Sequence, residues 1–155
     1  MAKEIERKFL VRDDGWRKLA DAGVSIVQFY VAASDDRSVR IRIRDDRDAL
    51  LTLKFGSAAL ERDEFEYPVP LDDAREMQGF AVGRVIEKTR HIVIHCGKRY
   101  EVDRFAGALD GLVVAELETP EMVADEDLPP WLGREVTGEA AFYNAALALN
   151  GIPGD

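Results

Sequence analysis

Glu4-Ile5-Glu6-Arg7-Lys8 opens the chain with two acids and a base at alternate positions, the spacing that puts all three side chains on one face of an extended strand. Two carboxylates so placed suit a hard divalent cation, and a lysine next in the row can meet the anion that such a cation accompanies. The pattern recurs. Acids stand two apart in Glu64/Glu66, Glu101/Asp103 and Glu116/Glu118, and bases in Arg40/Arg42/Arg44 and Lys88/Arg90, with Lys54 single. One such row is ordinarily a solvated strand face, but exposed strands mix signs, and these rows are sorted by sign. Three arginines in a row repel one another. If they line an enclosed volume they require a polyanion, whose phosphate oxygens the guanidinium fork meets two at a time.

Rows of this kind need strands to carry them. Alternation of apolar and polar residues predicts strands over about 3–11, 25–32, 38–44, 50–56, 62–70, 85–94, 99–105 and 112–118. Gln28 and Tyr30 are the inward polar marks of the second, Pro68 and Pro70 stop the fifth, and Gly97-Lys98 turns between the seventh and its predecessor. Asp13 or Asp14 can cap a short helix containing Trp16, Asp72 or Asp73 another ending near Gly79, and 121–127 reads as a short acidic helix before Pro129-Pro130. Alanine and leucine dominate 139–149, the plainest helix of the chain. It packs either outside, on the strand face bearing Ile41, Ile43 and Leu53, or across the mouth of an enclosed volume.

The arrangement that serves all rows is an α+β fold: a closed eight-stranded antiparallel barrel, or tunnel, with a charged interior, short helices packed outside and a C-terminal helix. Bare like charges inside such a wall are costly, so its acids call for cations and its bases for an anion of several charges. A metal-chelated polyphosphate meets both needs.

At 155 residues, the chain is expected to be a single domain over 1–155 with a substantial core. A net charge of -9 argues against broad binding to nucleic acid. The lone Cys96 excludes an internal disulfide, and no apolar run reaches the length of a membrane span or signal peptide, so a soluble, cytoplasmic protein is expected. His91 and His95 share a strand face but lack the surrounding ligands of a zinc site.

Glu4-Ile5-Glu6-Arg7-Lys8 resembles the Glu-x-Glu-x-Lys signature of the triphosphate tunnel metalloenzymes, or CYTH superfamily. Gln28-Phe29-Tyr30, Val39-Arg40-Ile41-Arg42, Thr52-Leu53-Lys54, Arg62-Asp63-Glu64, Glu87-Lys88-Thr89-Arg90, Glu101-Val102-Asp103 and Glu116-Leu117-Glu118 follow in that family's order. The chain is most similar to its short bacterial members, typically inorganic triphosphatases. The resemblance implies triphosphate binding by Lys8, Arg40, Arg42, Lys54, Arg62, Lys88 and Arg90. It implies divalent metal, Mg2+ or Mn2+, on Glu4, Glu6, Asp103, Glu116 and Glu118, with Glu64 joining them or orienting a base. Lys8, Lys88 and Tyr30 would serve the chemical step, Tyr30 lying near Lys8 and tuning which phosphorus is attacked. Arg44, Glu66 and Glu101 continue rows as tunnel wall or rim salt bridge. The implied reaction is hydrolysis of inorganic triphosphate to pyrophosphate and phosphate by a monomer or homodimer. The alternatives are an adenylate cyclase or a thiamine or nucleoside triphosphatase on the same scaffold, and a polyphosphate-binding module without turnover.

Overall fold

A computed structural model describes residues 5–56 and 63–154. Glu4 and Arg62, both expected at the site, lie outside the described residues. Nine strands form one antiparallel sheet: β1 (Ile5–Val11), β2 (Val24–Ala33), β3 (Arg37–Arg44), β4 (Asp48–Phe55), β5 (Asp63–Val69), β6 (Val82–His95), β7 (Lys98–Ala106), β8 (Val113–Thr119) and β9 (Leu132–Glu135). Their spatial order is β5-β4-β3-β2-β6-β7-β8-β1-β9. Two helices accompany them, α1 (Leu71–Met77) and α2 (Asn144–Asn150). No helix of the described residues is long and apolar enough to cross a membrane.

The expected closed eight-stranded barrel is therefore corrected to a nine-stranded sheet that hydrogen bonds do not close, with β5 and β9 at its two ends. The sheet nevertheless curls. Glu6 on β1 feels the charge of Lys54 on β4, although five strands separate the two along the ladder, so they face one another across a lumen.

Antiparallel pairing preserves side: residues directly opposite one another project from the same face. Gln28 pairs with Arg42, Tyr30 with Arg40, Ile26 with Lys88, Arg90 with Asp103, Glu101 with Glu116, Lys8 with Glu116, Glu6 with Glu118, Thr52 with Arg40 and Glu66, and Lys54 with Glu64. Every charged row thus lies on one face, the concave one. The opposite face carries two apolar cores. One joins Phe9, Val93, Tyr100, Val102 and Leu117 to Trp16 and Trp131, and the other joins Phe29, Ile41 and Ile43 to Ala74 of α1.

A third core lies on the charged face itself. Leu147 and Ala148 of α2 pack with Tyr30, Ile86, Phe105 and Val114, which continue the charged rows at one end. The C-terminal helix is consequently inside, over an apolar end of the lumen, because the outer face at Ile41 and Ile43 is already taken by α1. Its extent is also corrected: Ala140–Phe142 forms a 3-10 turn and Tyr143 is extended, leaving seven helical residues. A helix so short is not stable alone, and docking of Leu147 and Ala148 holds it. Gly83 permits the close approach, since a Cβ there would stand 2.6 Å from the Ala148 carbonyl oxygen. The acidic helix expected over 121–127 shrinks to a 3-10 turn at Asp125–Asp127.

Candidate active site

Four groups of side chains line the concave face. The most tightly built centres on Asp103 of β7, which faces β6. Both of its oxygens are engaged: Lys88 Nζ lies 2.8 Å from Oδ2, and Arg90 donates from Nε to Oδ1 at 2.8 Å and from Nη2 to Oδ2 at 2.9 Å. Arg90 Nη1 reaches Glu101 at 3.0 Å. Burial pushes the Lys88 ammonium down to about 8, an effect that Asp103 opposes and Arg90 and Arg42 reinforce. Burial disfavours the charge of Asp103 as well, but the Lys88 and Arg90 cations outweigh it and hold this carboxyl well below the usual range. Asp103, expected among the metal ligands, anchors the two cations of β6, with three charged N–H groups on its oxygens.

The second group is held differently. Arg42 Nε donates to Gln28 Oε1 at 2.8 Å, and Arg40 Nη2 to Thr52 Oγ1 at 3.3 Å, with Thr52 in turn donating to Glu66 at 3.3 Å. Neutral side chains thus hold both arginines. Burial, followed by the charges of Arg40 and Arg90, lowers Arg42 to about 10. Arg40 Nε and Gln28 Nε2 are buried with no hydrogen-bond partner, an arrangement that costs stability unless a ligand supplies the acceptor.

Lys8 forms the third group with the C-terminal segment. Its Nζ lies 3.4 Å from Glu116 and 3.4 Å from the Phe142 carbonyl oxygen, and 5.5 Å from the centre of the Tyr143 ring. Lys88 Nζ reaches Asn144 Oδ1 at 3.4 Å. The main chain of Lys8 is fixed from the other side, its N–H donating to Thr137 Oγ1 at 2.9 Å and its carbonyl accepting from Val136 at 2.8 Å. The Tyr143 ring thus stands beside Lys8. Tyr30, expected near Lys8, pairs with Arg40 and packs among the apolar residues under α2.

Acids make the fourth group. Glu101, Glu116 and Glu118 line a cavity of about 270 Å³ with Arg99 at its side. Burial raises the pKa of Glu6, and the neighbouring Glu116 raises it further against the pull of Lys8 and Lys54. Among the described residues no three ligating side chains already converge on a cation. The donor chemistry nonetheless suits magnesium, which takes one or two protein carboxylates and completes its shell with water and phosphate oxygens. Glu64 stands opposite Lys54 on the exposed strand β5. His91 lies on the convex face, its Nδ1 3.1 Å from the Asp21 carbonyl oxygen.

The rows found by spacing are thus brought to one face; Gln28, expected to point inward, holds Arg42 there, and Thr52, Tyr143 and Asn144 join the site without a role having been expected for them. Gln28 and Thr52 were detectable by position, since each stands in a row between inward residues. Asn144 and Tyr143 were not, since they reach the lysines only through the docking of α2.

A curled antiparallel sheet with cations and acids gathered on its concave wall and a helix over one end defines a tunnel-like α+β fold with a charged lining. The chain belongs to the CYTH domain family, whose model matches residues 2–144. A relative from Acetivibrio thermocellus named inorganic triphosphatase is 41% identical over 151 residues, covering 97% of this chain and 96% of its own. A second of that name, from Nitrosomonas europaea, is 34% identical over 151 residues, covering 95% of this chain and 97% of its own. A solved structure of an inorganic triphosphatase superposes with a TM-score of 0.72 at 32% identity, over 99% of each chain.

Proposed function

We propose that this protein is a cytoplasmic, divalent-metal-dependent inorganic triphosphatase that hydrolyses tripolyphosphate to pyrophosphate and phosphate on the concave face of its sheet. One observation carries the reading most: Arg40 is buried and Arg42 half-buried, each on a neutral partner, with unsatisfied N–H groups of Arg40 and Gln28 beside them. Buried cations left without a counter-ion are costly, and a polyanion removes that cost. The name shared by both relatives supports the same substrate.

In this reading Arg40, Arg42, Lys54, Arg62 and Arg90 bind the phosphate chain in line, and Lys8 and Lys88 neutralise charge that develops on the transferring phosphoryl group. Asp103 keeps Lys88 and Arg90 at fixed positions. Tyr30 packs beside Arg40 and limits how that guanidinium can turn. Glu4, Glu6, Glu116 and Glu118 would hold Mg2+ or Mn2+, with Glu64 placed to orient Lys54. When bound, such a metal polarises phosphate oxygens and lowers the pKa of water. Phosphate binding also competes with Phe142 and Asn144 for Lys8 and Lys88, so the segment leading into α2 moves away as the lumen fills.

A panel of tripolyphosphate, ATP and thiamine triphosphate, each with Mg2+ or Mn2+, tests the reading when scored for phosphate release and cyclic AMP. Tripolyphosphate is expected to give the highest kcat/KM, with no turnover in chelator. Formation of cyclic AMP, or a higher kcat/KM with an organic triphosphate, would overturn it.

A further inference from the structure

Gln28 is a fully buried polar residue in the middle of the charged face, at 0% exposure. It stands between Arg42 on β3 and Ile86 on β6. An arginine only donates, so the amide must turn its oxygen toward Arg42 Nε, as it does at 2.8 Å, and this fixes the amide nitrogen on the other side. That nitrogen is buried and has no hydrogen-bond partner among the described residues. Leaving a buried amide donor unmet is a cost that an apolar side chain would avoid.

Three other cations of the wall sharpen the contrast, while Arg40, on Thr52, shares the neutral hold. Lys88 and Arg90 rest on Asp103, and Lys8 on Glu116. A carboxylate at position 28 would hold Arg42 more strongly than an amide does, since a charge-assisted pair is the stronger hydrogen bond. It would also cancel the charge of Arg42. The amide orients the guanidinium and leaves its charge in place.

We propose that Gln28 is a positioning and binding residue for the triphosphate: a neutral holder that aims Arg42 without neutralising it, and that donates its own amide N–H to a phosphate oxygen. The inference rests on the reading of Arg42 as a triphosphate ligand. Burial and the charges of Arg40 and Arg90 lower the proton affinity of Arg42, and Asp103 offsets them only in part.

Gln28→Glu is the decisive substitution, since it preserves shape and strengthens the hold on Arg42. Its expected signature is a thermal midpoint in the absence of ligand equal to or above that of the wild type, with KM for tripolyphosphate raised by roughly 10-fold or more. Gln28→Met keeps length but neither holds nor donates. It should lower kcat/KM and shrink the thermal stabilisation given by metal-free tripolyphosphate. A KM for tripolyphosphate in Gln28→Glu equal to that of the wild type overturns the proposal. So does undiminished stabilisation of Gln28→Met, which decides the matter if the glutamate variant does not fold. Arg42→Ala separates the two levels: if it binds tripolyphosphate as the wild type does, the ligand assignment of Arg42 falls and this inference with it. If only Arg42→Ala is impaired, the role of Gln28 alone falls.

Discussion

Lys88 meets Asp103 at 2.8 Å with its own side chain at 0% exposure and that of Asp103 at 7%. Such a pair is expensive to bury and more expensive to break, since removing one partner strands the other, at about 3–5 kcal/mol. Asp103→Asn is therefore expected to lower stability by about 3 kcal/mol while leaving the Mg2+ concentration for half-maximal activity near that of the wild type. A variant of normal stability with a greatly raised Mg2+ requirement would return Asp103 to the metal ligands.

The same pair sets a pH dependence. Lys88 titrates near 8 in the folded protein against 10.5 for an ordinary lysine. Since kcat/KM reports the free enzyme, it should fall above about pH 8 as the ammonium is lost, and Lys88→Arg should move that limb upward. For stability the sign is opposite. Between pH 8 and 10.5 the unfolded chain holds a proton that the folded one has released, so this group's contribution becomes more favourable as pH rises through that window. A kcat/KM profile flat to pH 10 would contradict the assignment.

Replacing acids of the concave face should separate activity from folding. Glu116→Gln and Glu6→Gln keep volume and hydrogen bonding but remove an anionic donor. Activity titrated against Mg2+ should collapse in each. The thermal midpoint of Glu6→Gln should hold or rise, because burial and Glu116 already work against the charge at Glu6. Full activity of either variant at wild-type Mg2+ would remove that residue from the metal site.

Docking of α2 makes two measurable demands. Leu147→Ala should cost about 2–5 kcal/mol by opening a cavity among Tyr30, Ile86 and Phe105. Magnesium tripolyphosphate should speed amide exchange over residues 142–147, because Lys8 and Lys88 exchange Phe142 and Asn144 for phosphate. Unchanged exchange would leave the helix a fixed wall.

Much of the site was legible because strand parity survives pairing: once Arg40, Arg42, Lys88 and Glu116 alternate with apolar neighbours, any antiparallel ladder keeps each on its own side. Partner choice was not. A turn at Gly97-Lys98 would set Arg90 opposite Phe105. The hairpin instead turns on Cys96-Gly97, both in the left-handed region, which pairs His95 with Lys98 and brings Arg90 to Asp103. The side on which α2 docks was also hidden, since both faces offer apolar residues. Its mark lay in the rows themselves: Leu10 follows Lys8, Ile86 precedes Lys88, Phe105 follows Asp103 and Val114 precedes Glu116, and the register puts all four at one end of the lumen. The four-residue β9 carried too short an alternation to be seen.

Because β5 pairs on one side only, it runs along the rim of the sheet as a row of backbone groups that another chain could bond to, with Phe65 and Tyr67 about half exposed beside them. Pro68 does not stop this strand, which continues through it to Val69. A proline is tolerated at such a margin because its missing N–H interrupts no ladder within the sheet. For a would-be neighbouring strand, the same gap is a missing rung, and Asp63, Glu64 and Glu66 add like-charge repulsion between copies. A residue that looks like punctuation within the chain is thus a gap in the row of donors that the rim of the sheet presents to another molecule.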